Sequence, residues 1–72
     1  MYYKVRSTNI IHEIRQLPTV KEHPITHDIM EVRHRLGEGV IICKLLMQKT
    51  GNIDEAVTLY NNIMMKLSKG IK

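Results

Sequence analysis

Three closely spaced glycines, Gly37, Gly39 and Gly51, constrain this chain more than any other feature. The first two flank one residue in Gly37-Glu38-Gly39, and the third opens Gly51-Asn52-Ile53-Asp54-Glu55-Ala56. Glycine tolerates positive φ and close backbone approach, so such positions end helices and turn the chain sharply. On both sides of each turn the apolar residues fall at helical spacing, which predicts an all-α fold.

The segment before the double glycine places Ile29, Val32 and Leu36 on one helical face. It should begin near Thr26, whose hydroxyl is suited to cap the free amides of a first turn. Asp28 and Glu31 near its start, with Arg33 and Arg35 near its end, match the helix dipole. The next helix, from about Gly39 to Lys49, is almost wholly apolar: Val40, Ile41, Ile42, Cys43, Leu45, Leu46 and Met47. A helix of that kind is either central in a bundle or keeps a face for a partner. A three-helix bundle leaves part of each helix uncovered. Some of Val40, Ile41, Leu45 and Met47 are therefore expected at the surface, unless the Ile10–Leu17 segment folds back over them.

Thr50-Gly51 closes that helix, and Asn52 opens the last one with Glu55 three residues on, an approximate capping box. Ala56, Val57, Leu59, Tyr60, Ile63, Met64 and Leu67 continue at helical spacing; Lys66 and Lys69 suit its C-terminus, and Gly70 its stop. Upstream, Ser7-Thr8-Asn9 reads as a helix cap before Ile10, Ile11, Ile14 and Leu17. Pro18 ends that helix after about two turns. Met1 to Arg6, where Tyr3 and Val5 alternate with charged residues, reads either as a short strand or as an arm. The expected organisation is an arm over residues 1–24, with a short helix and the proline-bounded linker PTVKEHP, followed by a three-helix domain over residues 25–70.

At 72 residues there is room for one domain and one small core. With no Trp or Phe that core must be aliphatic. The single Cys43 excludes an internal disulfide, suits a reducing compartment, and in its apolar helix reads as a buried, inert thiol. No apolar run approaches the roughly 18 residues of a membrane span. The opening MYYKVRSTN lacks the layout of a secretory signal, so the cytoplasm is the default. His12, His23, His27 and His34 have no cysteine at zinc spacing, and His23 and His27 straddle Pro24; they read as solvent-exposed, and neither metal nor cofactor is expected. No nucleophile-and-base arrangement can be drawn from the residue types, which argues against an enzyme. The net charge of +4 is scattered. It leaves two further readings open: a basic nucleic-acid-binding domain using Arg33, Arg35, Lys44, Lys49 and the C-terminal lysines, and a small homo-oligomer.

The order Val32-Arg33, Gly37-x-Gly39, Val40-Ile41, Cys43-Lys44 and then Gly51-Asn52-Ile53-Asp54-Glu55-Ala56-Val57 resembles the N-terminal domain of bacterial elongation factor Ts. In that family a Leu-Arg pair precedes a Thr-Gly-x-Gly turn, two hydrophobics, an acidic residue and Cys-Lys-Lys-Ala-Leu, with Gly-Asp-Ile-x-x-Ala-Ile downstream. Here Leu36 replaces the threonine, Ile42 the acidic residue and Leu45 the second lysine, and the spacing to Gly51 is one residue shorter. The resemblance implies a ubiquitin-associated-like three-helix bundle with an additional N-terminal helix or arm. It also implies a protein-binding module with elongation factor Tu as the first candidate partner. Arg33, Gly37, Glu38, Gly39, Val40, Ile41 and Lys44 are its candidate contact residues, because in the family the helix after the double glycine carries that contact. Exchange activity in the family depends on a following domain with a Thr-Asp-Phe-Val motif, which these residues lack, so binding without exchange is expected. Ubiquitin binding fits less well, since Leu36-Gly37-Glu38 carries a charge where ubiquitin-associated domains place an aromatic. GNIDEAVTLY is also similar to one helix of a tetratricopeptide repeat, but no second copy exists to bury its face.

Overall fold

Among the described residues there are four helices: α1 (Tyr2–Arg15), α2 (Thr26–Leu36), α3 (Val40–Thr50) and α4 (Ile53–Gly70). The computed structural model describes the backbone of residues 2–70 and the side chains of residues 8–68. Among the described residues there is no strand, and no helix is long and apolar enough to cross a membrane.

The helix ends show why the chain turns where it does. Gly37 stops α2 at φ 71°, and its amide donates to the Arg33 carbonyl at 2.8 Å. Gly51 stops α3 in the same way, at φ 73°, with its amide on the Met47 carbonyl at 2.7 Å. Both are left-handed C-caps that only glycine adopts cheaply. Asn52 then caps α4, its Oδ1 accepting from the Asp54 amide at 2.8 Å and the Glu55 amide at 3.2 Å. Two expected local features are corrected. Thr26 is the first helical residue of α2 and not its cap; Ile25 holds that position without a side-chain bond, and its carbonyl takes the Asp28 and Ile29 amides. Gly39 does not use glycine's freedom: it is extended at φ −68° and ψ 163°, with nothing within 4 Å of an added Cβ.

The larger correction concerns the N-terminus. Ser7-Thr8-Asn9 do not start a helix, because α1 already runs from Tyr2 and passes straight through them. Neither the strand nor the irregular arm describes residues 2–6; Met1 and the side chains of Tyr3 and Val5 lie outside the described residues. Thr8 and Asn9 are exposed on α1 while Ile10 and Ile14 are buried, so burial of the isoleucine face decides the conformation. The helix still ends before Pro18, at Arg15. At the other end α4 extends through Gly70; the stop expected there borders residues 71 and 72, and it and the Lys69 side chain lie outside the described residues.

Helix α3 is the centre of the molecule. It packs against α1, α2 and α4, whereas among the described residues α1 packs against α3 and α4. Ile42, Cys43, Leu46 and Met47 form its buried side and meet Ile29 and Val32 of α2, Ala56, Tyr60 and Ile63 of α4, and Ile10 and Ile14 of α1 in one core. Two tethers reinforce this arrangement. The Lys66 ammonium of α4 pairs with Glu13 of α1 at 2.8 Å, and Arg35 of α2 bridges Glu31 at 3.2 Å and Asp54 of α4 at 3.3 Å. The linker between α1 and α2 is equally well held: the Val20 and Lys21 amides both donate to the Gln48 carbonyl at 2.8 and 2.9 Å. The Gln48 side chain returns a bond to the Glu22 carbonyl at 3.0 Å, and the Lys49 ammonium reaches the Thr19 hydroxyl at 2.8 Å. The strap thus satisfies a carbonyl that the end of α3 would otherwise leave open.

A candidate docking face at the double-glycine turn

The end of α2, the turn and the first turn of α3 form one surface. Gly37 fixes its shape, because its left-handed φ swings the chain from the α2 axis into α3. Glu38 then anchors the turn from inside. Its carboxylate accepts a hydrogen bond from the buried Tyr60 hydroxyl of α4, and its carbonyl accepts one from the Cys43 thiol at 3.7 Å. Glu38 is half-buried as a result.

Gly39 brings no side chain to cap α3, and the first bond inside that helix runs from the Cys43 amide to the Gly39 carbonyl at 3.2 Å. Immediately after it, Val40 and Ile41 point away from the core, 47% and 66% exposed. This agrees with the expectation that part of α3 stays uncovered. Lys44, one turn on, shares their exposed side, while Leu45 is half-buried and Met47 is fully buried. Ile10 and Ile14 of α1 do join the core against α3, yet they leave Val40 and Ile41 open.

On the α2 side, Met30, Arg33, His34, Gly37 and Glu38 line a shallow open groove. Met30, 44% exposed, was not singled out from the sequence, and His34 was read there only as a solvent-exposed histidine. A signal was there: Met30, Arg33, His34 and Gly37 stand at i, i+3, i+4 and i+7, one face of α2 adjacent to its buried stripe. The Tyr60 anchor had no comparable signal, since it lies 22 residues from Glu38. All seven sequence-derived candidates, Arg33, Gly37, Glu38, Gly39, Val40, Ile41 and Lys44, therefore belong to this end of the molecule, with Glu38 facing inward and the other six exposed.

Beneath the face, Cys43 is fully buried. Burial pushes its thiol above the ordinary value, the Glu38 carboxylate adds to the rise and the Arg33 guanidinium partly opposes it. Such a thiol is a packing element and a poor nucleophile. The histidines His12, His23, His27 and His34 are all exposed, as expected, and among the described residues no group of three or more His, Cys, Asp or Glu could hold a metal ion. A small apolar surface bordered by cations and shaped by a rigid turn is suited to docking. Comparison of this chain with protein-family models, curated proteins and solved structures finds no match.

Proposed function

We propose that this chain is a small protein-binding module of ubiquitin-associated-like architecture, which engages its partner through the double-glycine turn and the start of α3. Elongation factor Tu is the first partner to test, bound without nucleotide exchange. The observation that carries the reading is the adjacent exposed pair Val40-Ile41 at the N-terminus of the central helix. Helix α3 has a core face of its own in Ile42, Cys43, Leu46 and Met47, so these two aliphatics are surplus to the fold. Large aliphatics left in water beside a rigid turn gain most when a partner covers them, about 25 cal/mol per Å² of apolar area. Arg33 and Lys44 orient the encounter by charge, and Gly37 and Glu38 hold the turn in shape. The partner identity rests on the resemblance of Arg33, Gly37, Gly39, Val40, Ile41 and Lys44 to the elongation factor Ts pattern.

The test is surface-immobilised chain exposed to purified elongation factor Tu, with full-length elongation factor Ts as the positive control. Saturable retention that an Ile41→Glu variant abolishes is the expected result. Absence of retention under conditions that hold the control sinks elongation factor Tu as the partner.

A further inference from the structure

We infer that the segment captured by this face is acidic and amphipathic: a short partner stretch whose apolar residues cover Val40, Ile41 and Met30 and whose carboxylates reach Arg33 and Lys44. This rests on the protein-binding reading and names the chemistry of what is bound. The charges at this end of the molecule are unevenly committed. Glu38 turns its carboxylate inward to the Tyr60 hydroxyl, and Glu31 is held by Arg35, which itself also spans to Asp54. Among the described residues no ion pair engages Arg33 or Lys44, and both are exposed. The acids beside the face are thus occupied by the protein's own groups, and its cations are left for a partner. The start of α3 lies at the same place without a side-chain cap, adding partial positive charge of the same sign.

Two other occupants fit less well. A second copy docked symmetrically would bring Arg33 and Lys44 toward like charges. Nucleic acid would meet the cations, but the centre of the face is aliphatic, and no Phe, Tyr or Trp occurs between residues 25 and 57 to stack a base.

The experiment is a titration of isotope-labelled full chain, followed by amide chemical shifts. The probe is a synthetic helical peptide of about 16 residues, long enough to hold some helix alone. It carries leucines at i, i+3, i+4 and i+7 with flanking glutamates; its control has the same leucines flanked by lysines. The acidic peptide is expected to shift the amides of Met30, Arg33, Gly37, Val40, Ile41 and Lys44, and to bind at least about tenfold more tightly than the lysine control. Its affinity should fall several-fold as salt rises from about 0.05 to 0.3 M. A paired R33E/K44E substitution should remove the preference for the acidic peptide, and I41S should weaken both peptides; R33Q/K44Q substitutes if charge reversal disturbs the unbound spectrum. Equal binding of the two peptides, lost in I41S but kept in R33E/K44E, overturns the acidic inference and leaves the docking reading standing. Shifts centred elsewhere, no shifts at all, or binding indifferent to I41S overturns both. A single-stranded oligonucleotide that shifts the same amides more strongly than the acidic peptide at physiological salt also overturns it, in favour of nucleic acid.

Discussion

Gly37 and Gly39 look equivalent in the sequence, and the structure makes them opposites. An added Cβ would meet nothing within 4 Å at either position, so sterics cannot distinguish them and the backbone alone decides. At Gly37, φ 71° puts a side-chain-bearing residue in the left-handed region at a cost of about 1–2 kcal/mol. Gly37→Ala recovers about 0.4–1 kcal/mol through a stiffer unfolded chain, leaving a net loss of about 1 kcal/mol. At Gly39, φ −68° and ψ 163° are ordinary for any residue, and the position is the N-cap of α3. Gly39→Ser keeps the entropic gain and adds a hydroxyl cap worth a few tenths more than glycine, a net gain of about 0.5–1 kcal/mol. In a domain of 72 residues each kcal/mol moves the midpoint by about 4–8 °C. The two variants should therefore melt about 10 °C apart, on opposite sides of the parent, when unfolding is followed by far-UV circular dichroism. Urea titration should place their midpoints in the same order with an unchanged slope. If both substitutions destabilise equally, or if Gly39→Ser is the worse of the two, the assignment of the turn's strain to Gly37 is wrong.

Three further outcomes follow from the packing. Ile14→Ala, at a side chain with 0% exposure, should cost about 2–5 kcal/mol, whereas an α1 that merely rested on the surface would cost almost nothing; denaturant titration separates the two. Asn52→Ala should cost about 1 kcal/mol by releasing the Asp54 and Glu55 amides, and Asn52→Asp should retain most of it in the same assay. Cys43 should resist a thiol reagent in the native state and react promptly in denaturant. Because its folded pKa lies above the unfolded one, the neutral thiol favours the native state at neutral pH; that contribution should be complete below about pH 8 and decline as pH rises past the thiol's unfolded range near 8.5. A native chain modified as fast as the unfolded one would contradict the burial of Cys43.

The helices around the turns were legible because their ends are written in residues with narrow uses. Gly37 and Gly51 are left-handed caps, Asn52 is a true N-cap, and Ile29, Val32 and Leu36 keep to one face. Where residue types have several uses, the sequence misled. Ser7-Thr8-Asn9 can cap a helix, but the backbone of α1 runs through them, and Thr8 and Asn9 ride on its exposed side once Ile10 and Ile14, four positions apart, are buried. Thr26 could cap α2, but the chain enters that helix one residue earlier. The docking face was half legible. The uniformly apolar α3 has no periodicity to say which side faces out, so Val40 and Ile41 emerge as surface residues only from the packing of three neighbouring helices around it. The inward turn of Glu38 depends on Tyr60, a contact between helices that no local pattern encodes.

The strap that grips the Gln48 carbonyl carries a kinetic consequence. Helices α2, α3 and α4 are joined by tight turns and can assemble from near neighbours, the condition for rapid folding. Helix α1 joins only when the chain from Val20 to Gln48 closes on itself, a slower and entropically costlier event. Opening should run in reverse, with the strap released and α1 swinging off before the other three helices part. Amide hydrogen exchange would then show α1 as a faster unit than the middle of α3. That transient state uncovers Ile10, Ile14 and the α3 surface beneath them, which makes the N-terminal helix the guard against aggregation of a chain whose central helix is apolar on nearly every side.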